Sequence, residues 1–196
     1  MGHYTDAPED NLLGLTDKEA LNEQEALGVA TVERYLLEEL DYPVALSVAL
    51  VQELHRRAFG HLYEWAGQWR RTVPNVGAYL PPPPARVPQL LYEFMDELHH
   101  RQHSLPPTPQ VDQVAGLLAY AHYRLVAIHP FANGNGRTAR LFTNLLAYSY
   151  GYQEVVLYQR EQGEARTHYL LVIRQADDYD LRGLQQLISA QLRPLG

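Results

Sequence analysis

Apolar residues recur every three or four positions along most of the chain, which is the period of an amphipathic α-helix. The clearest stretch covers residues 111–128, where Val111, Leu118 and Leu125 are spaced to lie on one face of a helix. The same pattern predicts helices over residues 16–40, 44–59, 87–102, 163–176 and 180–192, and another that begins near residue 135. A short helical turn is expected over residues 61–66. The fold is therefore predicted to be all-α.

One segment interrupts the helical pattern. Residues 68–80 are rich in aromatic and β-branched side chains, and Pro74 and Gly77 are residues typical of turns, so a small β-hairpin is predicted there. The four consecutive prolines at residues 81–84 lack N–H donors and stiffen the exit of this hairpin.

The length of the chain fits one domain. A chain of 196 residues is long enough to bury about 70% of its unfolded surface around a single core. Residues 1–15 are polar and carry glycine and proline, so we expect a polar N-terminal arm there. A single domain is expected over residues 16–196.

Charge and composition argue against several classes of partner. The chain has 16 Lys and Arg against 23 Asp and Glu, a net charge of −7, which argues against a sequence-independent nucleic-acid binder. It has no cysteine, which excludes disulfides and thiolate zinc sites. No apolar run approaches the roughly 20 residues that a membrane span requires. We expect a cytoplasmic protein that binds neither nucleic acid nor membrane.

The chemistry of the chain is concentrated in residues 129–140, which read HPFANGNGRTAR. Pro130 cannot continue a helix, so His129 is expected at the end of one helix, and the next helix begins after a glycine-rich loop. A helix start offers unpaired N–H groups and a positive dipole end to an anion. Arg137 and Arg140 lie three residues apart on one face, and guanidinium groups suit phosphate oxygens. The motif is predicted to bind phosphate.

This motif resembles the signature of the Fic (Fido) domain family, HPFx(D/E)GNGRxxR, and it matches every fixed position except one. The resemblance implies a Fic-type helical bundle around a helix-loop-helix active-site motif, with a small β-hairpin flap. It also implies a protein adenylyltransferase, which transfers AMP from ATP to a Ser, Thr or Tyr hydroxyl of a target protein. Transfer of another nucleotide-derived group, such as phosphate, UMP or phosphocholine, is the alternative on the same scaffold.

The resemblance also implies a role for each residue of the motif. His129 is the expected general base, which removes the proton of the target hydroxyl. Pro130 and Phe131 are structural, and Phe131 is expected to anchor the loop in the core. The expected nucleotide- and phosphate-binding residues are Gly134, Asn135, Gly136, Arg137 and Arg140.

Position 133 is where the chain departs from the signature. The family usually has Asp or Glu there to bind Mg²⁺, whereas Asn133 offers one neutral oxygen. Weakened Mg²⁺ binding is therefore predicted, with the ion held mainly by the nucleotide phosphates. The same substitution keeps a second interpretation open, a pseudoenzyme that binds a nucleotide without turnover.

The family resemblance also predicts a target-docking element and a mode of inhibition. Residues 71–84 are the candidate flap, which would pair with the target by strand addition; its expected docking residues are Val76, Gly77, Ala78 and Tyr79. Many Fic proteins are silenced by a helix carrying (S/T)xxxE(G/N). Only Thr5 and Glu9 have this spacing here, and Pro8 interrupts that helix. A separate small inhibitor protein, or none, is implied.

Other aromatic residues near the motif favour structural roles. His122 lies seven residues before His129, but two histidines do not complete a metal site, so a packed, hydrogen-bonded His122 is the preferred interpretation. Trp65 and Trp69 are interpreted as core residues under a loop rather than as a base-stacking platform. The sequence leaves the oligomeric state open.

Overall fold

The computed structural model describes residues 10–74, 76, 79–157, 163–177 and 180–195. Helices dominate the described residues, which confirms the predicted all-α class. They are α1 (Lys18–Glu38), α2 (Val48–Phe59), α3 (Val87–His103), α4 (Val111–Ile128), α5 (Asn135–Ser149), α6 (Glu164–Asp177) and α7 (Arg182–Ser189). A 3₁₀ turn, Pro84–Arg86, precedes α3.

Two helices begin later than the apolar pattern predicts, because other residues cap them. The carboxylate of Asp17 accepts a hydrogen bond from the Ala20 N–H at 2.8 Å and caps α1, so the helix begins at residue 18 instead of the predicted residue 16. In α2, the hydroxyl of Ser47 accepts from the Leu50 N–H at 3.1 Å. This cap sets the start of α2 at residue 48 instead of the predicted residue 44.

Helices α4 and α5 form the centre of the bundle, and their apolar faces are fully buried, as Leu118 and Phe142 show. Helices α1 and α2 pack against α5, while α3 and α7 pack against α4 and α6 packs against α7. Among the described helices, none is long and apolar enough to cross a membrane. The loop between α4 and α5 therefore lies among several elements, and α1 and α2 reach it from one side.

A glycine permits the close approach of α1 and α2. A Cβ atom at Gly28 would lie 1.9 Å from the carbonyl oxygen of Ala58, so no larger residue fits at this crossing. The next turn of α1 towards its N-terminus carries Glu25, which is only 6% exposed. The crossing thus brings a buried carboxylate towards the start of α5.

The segment expected to form a hairpin contains one β-bridge among its described residues. Within the described part of residues 71–84, a single antiparallel bridge joins Val76 and Tyr79. Two of the expected docking residues, Gly77 and Ala78, lie outside the described residues. Proline at position 74 and at residues 81–84 removes ladder donors on both sides of the bridge, which limits the pairing.

Candidate active site

His129 ends α4 in the left-handed conformation, with φ 52° and ψ 60°. Among the described residues other than glycine, it alone has a positive φ. This conformation costs about 1–3 kcal/mol for such a residue, and it persists only where its surroundings hold it. The His129 N–H still bonds to the carbonyl of Leu125 at 3.1 Å. The chain therefore turns sharply at the residue that carries the predicted base.

The imidazole of His129 has one nitrogen committed to the protein. Nδ1 lies 3.3 Å from the carbonyl oxygen of Val126. A carbonyl only accepts hydrogen bonds, so Nδ1 carries the proton and Nε2 keeps a lone pair. Burial lowers the pKa of His129 to about 4, against the opposing effect of the Val126 bond, and nearby Arg70 lowers it further. The imidazole is therefore neutral at pH 7, as a general base must be.

Phe131 and Asn135 close the loop that follows. The Phe131 ring is fully buried and stacks on His55 with a centroid distance of 3.7 Å, so the predicted anchor is present. The amide oxygen of Asn135 accepts from the Phe131 N–H at 2.8 Å, and its nitrogen donates to the Phe131 carbonyl at 2.9 Å. Both polar atoms of this side chain are used within the loop. Asn135 therefore closes the loop, and the phosphate contact expected of it stays a prediction.

His55 on α2 also shapes the loop, although the family signature does not include it. Its Nδ1 accepts from the Gly67 N–H at 2.9 Å, so Nε2 carries the proton and donates to the carbonyl of Asn133 at 3.0 Å. Burial lowers the pKa of His55 to about 4. Trp65 packs beside it, half-buried against the core, in line with the predicted structural role. A histidine at an inward position of an amphipathic helix was the available sequence signal.

Glycine is required at position 134 for two reasons. Gly134 has φ 75°, and a Cβ atom there would lie 2.6 Å from the Phe59 ring. Gly136 lies within α5, and a Cβ there would meet Nη1 of Arg140 at an ordinary 3.5 Å. Of these two glycines, Gly134 alone has a positive φ. The Arg140 guanidinium lies over Gly136 at the start of the helix.

The start of α5 has the geometry of an anion site. The first intrahelical bond runs from the Thr138 N–H to the carbonyl of Gly134 at 2.9 Å. The N–H groups of residues 135–137 precede it and point out of the helix end, where the dipole favours an anion.

Arg137 is paired within the protein by a partner that the sequence does not predict. Its Nη1 and Nη2 donate to the two carboxylate oxygens of Glu25 at 2.7 and 3.2 Å. The guanidinium also lies over the Phe59 ring, 4.6 Å from its centroid. Glu25 accepts a further hydrogen bond from the Tyr63 hydroxyl at 3.0 Å. Arg137 is thus paired with an acid in this structure, and its contact with phosphate stays a prediction.

Asn133 completes this charged cluster. Its amide oxygen accepts from the Gly134 N–H at 2.7 Å and from Nη2 of Arg137 at 3.4 Å. Its nitrogen lies 3.5 Å from a Glu25 carboxylate oxygen. An oxygen that already accepts from a guanidinium is poorly placed for a divalent cation. Within the described residues, no group of three His, Cys, Asp or Glu side chains is arranged to hold a metal. These side chains therefore do not fit a resident Mg²⁺.

His122 is the packed histidine that the sequence predicts. The Thr143 hydroxyl donates to the carbonyl of Ala139 at 2.7 Å and so accepts from His122 Nδ1 at 3.0 Å. His122 Nε2 then accepts from the Tyr169 hydroxyl at 2.9 Å. Burial is the main cause that lowers the pKa of His122 to about 3. This neutral histidine joins α4, α5 and α6.

A family model described as the Fic/DOC family matches residues 45–147, more than half of the chain. The chain belongs to the Fic/DOC family. The match contains α2 to the last turn of α5, and with it the whole Fic motif. Helix α1, which carries Glu25, lies outside the matched segment.

Similar proteins support the same assignment. The protein adenylyltransferase Fic of Drosophila grimshawi is 34% identical over 167 residues, which cover 84% of this chain and 32% of that protein. Fic-1 of C. elegans aligns with a TM-score of 0.71 at 27% identity, over 92% of this chain and 52% of the other. The chain thus spans about a third of the length of the curated relatives it matches.

The fold is shared over the whole chain with a bacterial effector protein. BepC, a VirB-translocated effector of Bartonella tribocorum solved with bound AMPPNP, aligns with a TM-score of 0.80 at 18% identity. The alignment covers 100% of this chain and 97% of BepC. At this identity the comparison shows the fold alone.

Proposed function

We propose that this Fic domain is a protein adenylyltransferase, which transfers AMP from ATP to the hydroxyl of a Ser, Thr or Tyr side chain. The observation that carries the proposal is the state of His129. Its Nδ1 is held by the Val126 carbonyl, and its Nε2 keeps the lone pair that a general base uses. The names of the Drosophila relatives, protein adenylyltransferase Fic, support the choice of reaction.

The proposed reaction is a displacement at the α-phosphorus of ATP. The target hydroxyl oxygen attacks this phosphorus while its proton passes to Nε2 of His129. The bond between the α-phosphorus and the oxygen that bridges to the β-phosphate breaks. Pyrophosphate leaves, and AMP stays on the target as a phosphodiester. His129 begins the step neutral because burial lowers its pKa to about 4.

The start of α5 is the proposed site for the triphosphate. The N–H groups of residues 135–137 form the anion hole, and Arg140 lies over the same helix start. Arg137 contacts phosphate in this proposal by exchanging Glu25 for a phosphate oxygen. A bound AMPPNP in BepC and a bound ADP in a Fic domain from Bartonella quintana support nucleotide binding. Any Mg²⁺ arrives with the nucleotide, since Asn133 already accepts from Gly134 and Arg137.

The flap segment is proposed to dock the target. Val76 and Tyr79 are bridged to each other, and their backbone is the candidate edge for strand addition. The Tyr79 hydroxyl donates to the carbonyl of Ala127 at 2.9 Å, which fastens the segment to α4 two residues before His129. A target strand on this edge would bring its side chain close to the base.

A nucleotide-binding pseudoenzyme is the second candidate, and a specific observation favours it. Glu25 occupies both outer nitrogens of Arg137, and Asn133 has no carboxylate. A site in which Glu25 is never displaced would bind nucleotide weakly and would not orient it for transfer.

One labelling experiment separates the candidates. The protein and its His129→Ala variant are incubated with cell lysate and labelled ATP, UTP, GTP or CDP-choline. We expect label from the α-phosphate of ATP in protein, and a loss of about 10²–10⁴ in rate for His129→Ala with ATP affinity kept. ATP binding without transfer would select the pseudoenzyme. Transfer from another donor would overturn the choice of AMP.

A further inference from the structure

A buried arginine outside the Fic motif contacts the backbone of the catalytic histidine. Arg70 lies between α2 and α3 and is only 4% exposed. Its Nε donates to the carbonyl of His129 at 2.6 Å, and its backbone N–H donates to the carbonyl of Pro130 at 2.9 Å. Two consecutive carbonyls that follow the left-handed turn are thus held by one residue.

The other two nitrogens of the same guanidinium reach the flap segment. Nη1 donates to the carbonyl of Thr72 at 2.8 Å, and Nη2 donates to the carbonyl of Pro82. Thr72 lies near the beginning of the segment over residues 71–84, and Pro82 lies near its end. Arg70 therefore closes the base of the flap segment and joins it to His129.

The chemistry of this contact is specific to a guanidinium. A planar fork has donors fixed in several directions, whereas the ammonium of a lysine is a single point at the end of a flexible chain. In Arg70 three separate nitrogens each donate to a different carbonyl, whereas the one nitrogen of an ammonium would have to lie within hydrogen-bond distance of all three. A buried cation that is used in this way sets the relative position of the segments that it joins.

We propose that Arg70 is a positioning residue that fixes the flap segment relative to the backbone of His129, so that a docked hydroxyl meets Nε2 in reactive geometry. The inference rests on the proposed transferase function. It adds to that function a residue that touches neither nucleotide nor target. Because Arg70 acts through His129 and the flap, its loss should slow transfer and leave the phosphate site at the start of α5 intact.

The test compares Arg70→Lys with Arg86→Lys in the full chain. Arg86 ends the 3₁₀ turn outside the flap segment and is exposed, so the same substitution there leaves the three carbonyl contacts of Arg70 in place. For each protein, three quantities are measured: the rate at which α-phosphate label from ATP enters lysate proteins at saturating ATP, the ATP Kd, and the Tm. For Arg70→Lys we expect a rate lower by about 10- to 100-fold with an ATP Kd within about two-fold of wild type. Arg86→Lys should match wild type.

The possible outcomes distinguish a failure of the proposed transferase function from a failure of the proposed role of Arg70. If wild type transfers no label, the proposed function falls and the inference falls with it. If wild type transfers and Arg70→Lys transfers equally well, the inference alone is wrong. A parallel loss of rate, ATP affinity and Tm would make Arg70 a structural residue and would also overturn the inference.

A second variant keeps the inference testable where Arg70→Lys does not fold. Tyr79→Phe removes the flap's other anchor, the bond to Ala127, without touching the His129 carbonyl. If Arg70 sets the geometry, Tyr79→Phe raises the lysate concentration needed for half-maximal labelling and leaves the maximal rate within about two-fold. If Tyr79→Phe instead lowers the maximal rate and leaves the lysate concentration for half-maximal labelling unchanged, Tyr79 and not Arg70 sets the reactive geometry, which contradicts the inference.

Discussion

The two ends of the Fic motif are held by different kinds of contact. At the first end, Arg70 donates to backbone carbonyls at His129 and Pro130. At the second end, the carboxylate of Glu25 holds the side chain of Arg137. The first set of contacts fixes the backbone, whereas the second holds a side chain through an ion pair. A nucleotide phosphate can compete for an ion pair, but it cannot replace a donor to a carbonyl.

The contacts that set the position of His129 are therefore separate from the contacts that hold Arg137, although both lie in one motif. The base end is organised before any substrate arrives, because its donors and acceptors are all parts of the protein. At the phosphate end Arg137 is paired with an internal anion, Glu25, which the proposed function requires a phosphate to displace. We therefore expect changes at the base end to alter rate, and changes at the phosphate end to alter affinity.

The largest expected effect comes from a change that disrupts both ends together. Gly134→Ala places a Cβ against the Phe59 ring in a left-handed conformation, and we expect it to lower the free energy of unfolding by about 2–5 kcal/mol. Gly136→Ala is the matched control, since a Cβ there meets only the flexible end of Arg140. We expect it to stay within about 1 kcal/mol of wild type. Urea unfolding measures both, and equal costs would contradict the loop geometry.

The next effect separates the phosphate end from the base end. Glu25→Gln removes the carboxylate that holds Arg137, and we expect ATP to bind about ten-fold more tightly, in line with one charge-assisted hydrogen bond. Stability should fall, because Arg137 loses a buried partner. Calorimetric titration with ATP measures the affinity. Glu23→Gln, an exposed glutamate on the same helix, is the control and should behave as wild type. An unchanged ATP affinity for Glu25→Gln would show that Arg137 does not address the nucleotide.

A smaller effect is expected at position 133. Asn133→Asp adds a carboxylate beside Glu25, whose oxygen lies 3.5 Å from the present amide nitrogen. Two neighbouring carboxylates favour a divalent cation, so labelling should saturate at a several-fold lower Mg²⁺ concentration. Without added Mg²⁺, ATP should bind more weakly than to wild type, because the new anion repels its phosphates. A Mg²⁺ titration of the labelling rate tests both statements. Identical Mg²⁺ curves would mean that residue 133 does not reach the metal.

The smallest effect is expected from pH at the base end. Burial lowers the pKa of His129 from 6.5 to about 4, so the neutral form is complete from about pH 6 upwards. Between pH 6 and pH 8 the maximal labelling rate at saturating ATP should change by less than about two-fold because of this residue. An acid limb with an apparent pKa near 6.5 would contradict a buried, neutral base.

The lowered pKa values of the buried histidines also predict that the protein is less stable at low pH. His55, His122 and His129 all have folded-state pKa values below 6.5. The unfolded chain therefore binds more protons as the pH falls below about 6.5, and the free energy of unfolding decreases from there towards pH 4. Above that range these residues add no pH dependence.

Local patterns predicted much of the fold. The bounds of α4 agree with the prediction because an apolar stripe ends at Pro130, and α5 begins where the glycine-rich loop ends. The starts of α1 and α2 were wrong because several polar residues compete for the cap, and periodicity does not choose between them. In the described part of the flap segment one bridge is formed, and the prolines on either side remove donors that strand propensity does not count.

Sequence patterns did not identify the residues that contact the motif from other parts of the chain. Glu25 is 112 residues from Arg137, and Arg70 is 59 residues from His129. His55 is 78 residues from Asn133. Periodicity indicates which face of a helix is buried, but the residue met by that face depends on how helices pack. The motif itself was readable because its chemistry lies within twelve consecutive residues.

Helix α1 affects where the boundary of the domain should be drawn. The segment that the family model matches begins at residue 45, whereas the carboxylate that pairs with Arg137 lies at residue 25. A fragment cut at the start of the matched segment would keep every residue of the signature and lose the counter-charge of one of them. It would also uncover the surface of α2 against which Gly28 packs. Helix α1 therefore contributes both to the packing of α2 and to the charge balance of the motif, although it lies outside the matched segment.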